Sequence, residues 1–200
     1  MARHILFIHG GGGESAYGED RLLATSLENV LGAAYEVHYP RMPLDESAGY
    51  ADRKAQLAQE LSAADRPLII VAHSVGASIL LKFLVEERVT QSIAGLYLLA
   101  APYFGGDKDW DYRELSLPQD FAAQLPATPR IFLYHSRDDE VVPFAHLGLY
   151  AAKLPQATVR VSEDRGHQFG NNLSDVAEDI ASGETPTGRE HRHPDDAATI

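Results

Sequence analysis

The stretch Leu68-Ile-Ile-Val-Ala-His-Ser-Val-Gly76 passes from an apolar run directly into a helical pattern. A continuous apolar run is typical of a strand buried on both faces of a parallel sheet. Similar runs predict six strands, at residues 5–8, 35–39, 68–72, 95–100, 131–135 and 158–161. Helical patterns lie among them, at residues 18–31, 47–63, 76–88, 119–125, 144–153 and 172–182. This alternation predicts an α/β fold, with a doubly wound, mostly parallel six-stranded sheet and helices on both faces.

The length and charge of the chain narrow its function class. Its 200 residues fit one domain, which we predict over residues 1–182. Residues 183–200 contain prolines, glycines and charges without apolar periodicity, and we expect a disordered tail there. The net charge of −12 disfavours nucleic acid and anionic membranes as partners. No apolar run is long enough for a membrane span or a signal sequence, so we expect a cytoplasmic protein.

The turn after the third strand carries a candidate nucleophile. Ala72-His-Ser-Val-Gly76 matches the nucleophile elbow G-x-S-x-G, with alanine in the first position. Small residues are needed two positions before and after the serine because the turn from strand to helix is sharp. Ser74 would then stand exposed at the end of the sheet, beside the N-terminus of a helix that favours negative charge. The competing interpretation is that Ser74 only caps that helix.

Two later loops supply partners for Ser74 in the order serine, acid, histidine that hydrolases on this sheet use. Asp138, Asp139 and Glu140 follow the fifth strand, and His167 follows the sixth. Because the carboxyl ends of parallel strands lie side by side, these residues can meet. His167 would take the proton of Ser74, and a carboxylate would orient the imidazole. Three acids after the fourth strand are less favoured alternatives, namely Asp107, Asp109 and Asp111.

A glycine run, residues 10–13, follows the first strand. Acyl transfer needs two backbone amides aimed at the oxyanion, one after the nucleophile and one from an early loop. Val75 supplies the first, and we predict Gly11 as the second, with Gly10 and Gly12 as alternatives. The run also fits the dinucleotide fingerprint G-x-G-x-x-A, but no acid ends the second strand to bind a ribose. Cysteine is absent, and the histidines lack metal-ligand spacing, so we expect neither a metal nor an organic cofactor.

Together these residues resemble the α/β-hydrolase superfamily, and within it the small serine hydrolases of the retinoblastoma-binding protein 9 family. The resemblance covers about residues 3–182 and depends on five blocks of sequence, at residues 8–12, 71–76, 136–139, 142–143 and 165–168. It implies a minimal α/β-hydrolase fold without a large cap. It also implies Ser74 as the nucleophile, His167 as the base and Asp139, four residues before Pro143, as the acid. Ala72 and the His-Gly-Gly front loop depart from the pattern of that family.

The sequence therefore predicts a serine hydrolase that cleaves an ester-type bond of a small acyl substrate through an acyl-enzyme, as a carboxylesterase does. The alternative is an interaction protein on a hydrolase scaffold with little turnover, because a fold does not fix a function. An aromatic loop, residues 102–112, either lines the acyl pocket or anchors itself on the protein body through Trp110. The oligomeric state, the acyl preference and the leaving group stay open.

Overall fold

The computed structural model describes residues 2–43, 49–64, 66–128 and 130–183. Six strands form one parallel sheet in the order β2-β1-β3-β4-β5-β6. The strands are β1 (Arg3–Ile8), β2 (Tyr35–His38), β3 (Leu68–His73), β4 (Ile93–Leu99), β5 (Ile131–Ser136) and β6 (Thr158–Ser162). Each predicted strand is present, with bounds within two residues of those expected. The predicted fold class is confirmed.

Helices cover both faces of the sheet. They are α1 (Gly13–Leu31), α2 (Tyr50–Ser62), α3 (Ser74–Glu86), α4 (Phe121–Gln124), α5 (Ala145–Lys153) and α6 (Ser174–Ser182). Apolar residues of α1 and α6 pack on one face, against β1, β3, β4 and β5. Those of α2, α3 and α5 pack on the other face. The strands alternate their side chains between these two cores, which explains why β3 is apolar at almost every position.

The six helices all differ from their predicted bounds, by one to five residues at an end, and for three of them the local cause is clear. Helix α1 begins at Gly13 instead of residue 18, since two glycines in left-handed conformations, Gly12 (φ 111°) and Gly13 (φ 71°), turn the chain from β1 into the helix. Helix α3 begins at Ser74 instead of residue 76, with no connecting loop after β3. Helix α4 is a single turn because Leu125 precedes Pro126 and is extended, as residues before proline usually are.

The strand order places the loop after β1 beside the turn after β3. Ile8 at the end of β1 lies opposite Ala72, near the end of β3. At the far side, Ser136 at the end of β5 lies opposite Ser162 at the end of β6. The loops that carry the candidate site residues therefore leave one edge of the sheet, as expected for this topology.

Some predictions fall outside the described residues. The expected start of α2 at residues 47 and 48 does so, as does the expected tail from residue 184 onward. The division into residues 1–182 and 183–200 and the cytoplasmic location stay predictions. No helix in the described ranges combines the length and the hydropathy needed to cross a bilayer.

Candidate active site

Ser74 lies at the junction of β3 and α3 in a strained backbone. Its φ is 52°, a left-handed conformation that residues other than glycine seldom adopt. The turn is tight enough that a Cβ at Gly76 would lie 2.2 Å from the carbonyl oxygen of His9. At the other small position, the methyl group of Ala72 is buried in the apolar core. The elbow therefore requires glycine after the serine but accommodates alanine before it.

The structure brings Ser74, His167 and Asp139 together. His167 Nε2 lies 3.1 Å from Ser74 Oγ. The other ring nitrogen, Nδ1, lies 2.9 Å and 3.1 Å from the two carboxylate oxygens of Asp139. Ser74 and His167 are each only 7% exposed, and the carboxylate of Asp139 is fully buried. A hydrogen-bond chain of this kind, from carboxylate through imidazole to hydroxyl, can activate a serine as a nucleophile.

Asp139 is held by groups other than His167. Its Oδ1 accepts hydrogen bonds from the amides of Val141 and Val142, at 2.9 Å and 2.8 Å. His135 Nε2 lies 3.2 Å from Oδ2. Burial alone would raise the pKa of Asp139, but the hydrogen bonds from His135 and His167 outweigh it and hold that pKa well below its usual range. Asp139 is therefore ionised and fixed in orientation.

The alternative acids lie elsewhere. Asp138 accepts hydrogen bonds from Ser136 Oγ and the amide of Gly166, and Glu140 accepts one from the amide of His167. Both thus tie the loop after β5 to the loop after β6. Asp107 pairs with His146 instead, at 2.8 Å. Asp109 and Asp111 are exposed, and no hydrogen bond joins either to His167 among the described residues.

The loop after β1 approaches the nucleophile closely. A Cβ at Gly10 would lie 3.0 Å from Ser74 Cβ. The amide of Gly10 donates to Asp20 at 2.8 Å, so it is not available to a substrate. Gly11 faces Val75, whose side chain would lie 3.5 Å from a Cβ at Gly11. The amide of Val75 is among the first of α3, which have no partner within the helix and carry its positive dipole.

A sequence profile described as "Serine hydrolase" matches residues 24–171. The chain belongs to the serine hydrolase family. Among solved structures, the ydeN gene product of B. subtilis is 19% identical, with a TM-score of 0.70 over 91% of this chain and 98% of that one. XC6422 of Xanthomonas campestris, an α/β serine hydrolase without lid, is 16% identical, with a TM-score of 0.65 over 92% of this chain and 82% of that one. No curated protein sequence matches.

A third similar structure is CarC, a serine hydrolase involved in carbazole degradation. It is 16% identical, with a TM-score of 0.69 over 91% of this chain and 90% of that one. At these identities the likeness is one of fold, and it confirms the α/β-hydrolase architecture. The narrower resemblance to the retinoblastoma-binding protein 9 family stays a prediction.

This member of the serine hydrolase family contains a second buried acid–histidine pair that the sequence did not predict. His73 Nδ1 lies 2.9 Å from both carboxylate oxygens of Asp20, and both side chains are 1% exposed. His73 Nε2 lies 3.0 Å from the carbonyl oxygen of His167. Asp20 also accepts hydrogen bonds from Gly10 and from the side chain of Gln168. The pair therefore joins the loop after β1, the elbow and the loop that carries His167.

The partners of His73 fix its charge. A carboxylate and a carbonyl oxygen can only accept, so both ring nitrogens of His73 donate and the imidazole is cationic. Burial alone would lower the pKa of His73, but Asp20 outweighs it and raises that pKa. For Asp20, burial would raise the pKa and His73 outweighs it, so that pKa is lowered. The two shifts agree on a buried ion pair.

His9, the first residue after β1, is held in its neutral form. Its Nδ1 donates to the carbonyl of Gly10 at 2.8 Å, and its Nε2 accepts from the amide of Met42 at 3.0 Å. Burial lowers its pKa. Because His9 fixes the carbonyl of Gly10 and Asp20 fixes its amide, the glycine loop is held from both sides.

A hollow of about 280 Å³ opens over the candidate triad, with Ser74, His167 and Trp110 in its wall. Trp110 also packs edge-on against Phe104 and His146. His146 in turn accepts the amide of Tyr103 and pairs with Asp107. The aromatic loop is therefore anchored on the protein body, and its Trp110 also lines the hollow over Ser74. Whether the loop lines an acyl pocket stays a prediction.

Proposed function

We propose that this serine hydrolase cleaves ester-type acyl bonds through an acyl-enzyme, with Ser74 as nucleophile, His167 as general base and acid, and Asp139 as the residue that orients His167. One observation carries the proposal. It is the unbroken chain of short contacts from the ionised carboxylate of Asp139 through His167 to Ser74 Oγ. The membership of the chain in the serine hydrolase family supports it.

In the first half of the reaction, Ser74 Oγ attacks the carbonyl carbon of the ester while its proton passes to His167 Nε2. The tetrahedral intermediate then collapses, the bond to the alcohol oxygen breaks, and His167 returns the proton to that oxygen. The alcohol leaves, and the acyl group stays on Ser74. Asp139 stabilises the imidazolium that forms between these two proton transfers.

The second half repeats these transfers with water. His167 takes a proton from a water molecule as the water oxygen attacks the acyl carbon. The bond to Ser74 Oγ then breaks, His167 returns the proton to Oγ, and the carboxylic acid leaves. One ester and one water are consumed, and one acid and one alcohol are formed.

The negative charge on the carbonyl oxygen needs two amide donors in each half-reaction. We propose the amides of Gly11 and Val75. Gly10 is a poor choice because its amide already donates to Asp20. Val75 has support from its place at the positive end of α3, which stabilises a developing oxyanion.

The narrower features of the proposal come from the sequence. The residue blocks that resemble the retinoblastoma-binding protein 9 family favour carboxylesterase-type chemistry on a small acyl substrate. The net charge of −12 disfavours nucleic acid and anionic membranes as partners.

The test measures hydrolysis of 4-nitrophenyl acetate and butyrate by the wild-type protein and by Ser74→Ala. We expect the substitution to lower kcat/KM by about 10⁴-fold or more, because the nucleophile is lost. Ser78→Ala is the matched control, since Ser78 lies one turn further along α3 and its Oγ donates to the carbonyl of Pro102. Circular dichroism checks that both variants are folded.

Equal hydrolysis by wild type and Ser74→Ala would reject Ser74 as the nucleophile. If the wild-type protein cleaved no ester, thioester or amide in a broad panel, the alternative of an interaction protein on a hydrolase scaffold would replace the proposal.

A further inference from the structure

A second hollow of about 170 Å³ adjoins the one over Ser74. Gly11 and Val75, the proposed oxyanion donors, line both hollows and separate them. The wall of the second hollow is otherwise apolar or aromatic, apart from one charged side chain, and consists mainly of Tyr50, Arg53, Ile79, Tyr112 and Leu115. A substrate whose carbonyl is held at Gly11 and Val75 can therefore extend to either side.

The charged group in this hollow is the guanidinium of Arg53, on the first turn of α2. It is partly buried, and its Nη1 would lie 3.8 Å from a Cβ at Gly11. Arg53 has no ion pair or hydrogen bond within the described ranges. Its neighbour Lys54, by contrast, pairs with two carboxylates, those of Glu86 and Glu87. Within the described part of the chain, the guanidinium of Arg53, beside Gly11, is thus left without a compensating carboxylate.

A partly buried cation without a counterion is unfavourable when the site is empty, because its charge is partly desolvated. A ligand that neutralises this charge therefore gains binding free energy. Burial lowers the pKa of Arg53, although the guanidinium stays charged. A carboxylate suits this position, because a guanidinium binds it through two parallel hydrogen bonds. Among the acids that the structure describes, Glu86 does not compete for Arg53, since it already accepts from Lys54 and from Tyr50.

The mechanism decides which part of the substrate enters this hollow. The leaving alcohol must face His167, which gives it a proton, and His167 lines the first hollow. Glu19 lines that hollow too, so an anionic group is disfavoured there. The acyl chain therefore extends past Gly11 and Val75 into the second hollow, toward Arg53.

We infer that the acyl group of the substrate carries a free carboxylate bound by Arg53, so that the preferred substrates are half-esters of short dicarboxylic acids. This inference rests on the proposed function and narrows its substrate class. The net charge of −12 alone would disfavour an anionic substrate, because the chain repels anions unless the site itself attracts them. A preference for the charged ester would therefore come from the site.

The test compares mono(4-nitrophenyl) adipate with 4-nitrophenyl 6-methylheptanoate, in which an isopropyl group replaces the carboxylate. We expect the wild-type kcat/KM to be at least about tenfold higher for the adipate. In Arg53→Gln the ratio of the two values should fall by about 10- to 100-fold, the effect of losing hydrogen bonds to a charged group. Arg53→Lys keeps the positive charge but cannot form two parallel hydrogen bonds to a carboxylate. Its ratio should lie between those of the wild type and Arg53→Gln.

Arg41→Gln is the matched control, because Arg41 is exposed and paired with Glu14. It should leave the ratio unchanged. A wild-type ratio of one or less, or an equal loss on both esters in Arg53→Gln, would overturn the inference.

A binding measurement separates this inference from the proposed function. Calorimetry with Ser74→Ala and monomethyl adipate needs no turnover. We expect binding that is lost in the double variant with Arg53→Gln and kept in the one with Arg41→Gln. If no ester were hydrolysed but this binding pattern were observed, the carboxylate site at Arg53 would be supported and ester hydrolysis by Ser74 would be rejected. No binding, or binding independent of Arg53, would reject the site even in an active esterase.

Discussion

His73 Nε2 donates a hydrogen bond to the backbone carbonyl of His167, with 3.0 Å between nitrogen and oxygen. The residue before the candidate nucleophile thereby holds the backbone of the candidate base. Its other nitrogen binds Asp20, which in turn holds the amide of Gly10 in the loop after β1. The three loops of the site are connected through one buried ion pair. We expect Asp20 and His73 to position the three loops of the site through these hydrogen bonds.

The first prediction concerns the loss of the charge on Asp20. Asp20→Asn keeps the shape of the side chain but leaves the cationic His73 without its counterion. Breaking a buried pair costs about 3–5 kcal/mol, so the free energy of unfolding in urea should fall by that order. If the pair positions the loops, kcat on 4-nitrophenyl butyrate should also fall by about tenfold or more. This kcat is measured without denaturant, where the variant is fully folded.

Asp179→Asn is the control for Asp20→Asn. Asp179 also holds an ion pair, with Arg160 at 2.7 Å, but it lies on α6 away from Ser74. It should lower stability and leave kcat unchanged. If Asp20→Asn behaved in the same way, the pair would be only structural.

The second prediction is the pH dependence of the contribution of this pair to stability. The pKa of His73 is raised in the folded state, so its contribution is complete below the unfolded value of about 6.5 and is lost as pH rises through the folded value. The pKa of Asp20 is lowered, so its contribution is present above about 3.9 and is lost as pH falls through its folded value. The contribution is therefore largest between about pH 4 and 6.5.

Urea unfolding of the wild type and of His73→Gln across pH 4–9 measures this contribution as a difference. The difference should be largest in the acidic half of that range and shrink toward the alkaline end. A difference that grew with pH would show that His73 is neutral in the folded protein.

The third prediction separates the two adjacent aspartates. Asp139→Asn would present an amide to His167 and disturb the tautomer that the base needs, so kcat should fall by about 10⁴-fold. Asp138→Asn should cost far less, because its Oδ1 can still accept from Ser136 and from Gly166. Steady-state kinetics on one ester, with stability measured for both variants, checks this. If kcat fell further in Asp138→Asn than in Asp139→Asn, Asp138 and not Asp139 would be the acid that orients His167.

The fourth prediction concerns the backbone contact behind the nucleophile. A Cβ at Gly76 would overlap the carbonyl oxygen of His9, which is backbone and cannot rotate away. Gly76→Ala should therefore lower stability by more than about 2 kcal/mol. Gly18→Ala, in open space on α1, should raise it by up to about 1 kcal/mol instead, through helix propensity. Thermal unfolding of both variants is the measurement, and equal effects would refute the close contact.

The sequence could predict the parts of the site that depend on strand ends. Ser74, Asp139 and His167 follow three strands of one parallel sheet. The carboxyl ends of parallel strands lie at the same edge of a sheet, whatever the conformation of the loops. The choice of Asp139 among three acids needed the family resemblance, because loop conformation decides which carboxylate turns inward. The start of α1 was not predicted because residues 13–17 contribute none of the buried positions that mark the apolar face of the helix.

The pair of Asp20 and His73 was missed because its partners are far apart in sequence, yet a signal for it exists. The buried residues of α1 are Asp20, Leu23, Ala24 and Leu27, the spacing of a single helix face. An acid on the apolar face of a helix needs a buried partner. His73 ends a strand that is otherwise apolar and raises the same question. Only the tertiary packing of α1 on β3 joins the two.

Trapping the acyl-enzyme tests the central claim most directly. The wild-type protein would be mixed with 4-nitrophenyl acetate, quenched in acid within the first turnovers, digested and mapped by mass spectrometry. The account predicts one acetyl group on the peptide that contains Ser74, absent from Ser74→Ala and accumulating on His167→Ala only slowly. Acetyl groups on another residue, at a rate that Ser74→Ala leaves unchanged, would contradict it.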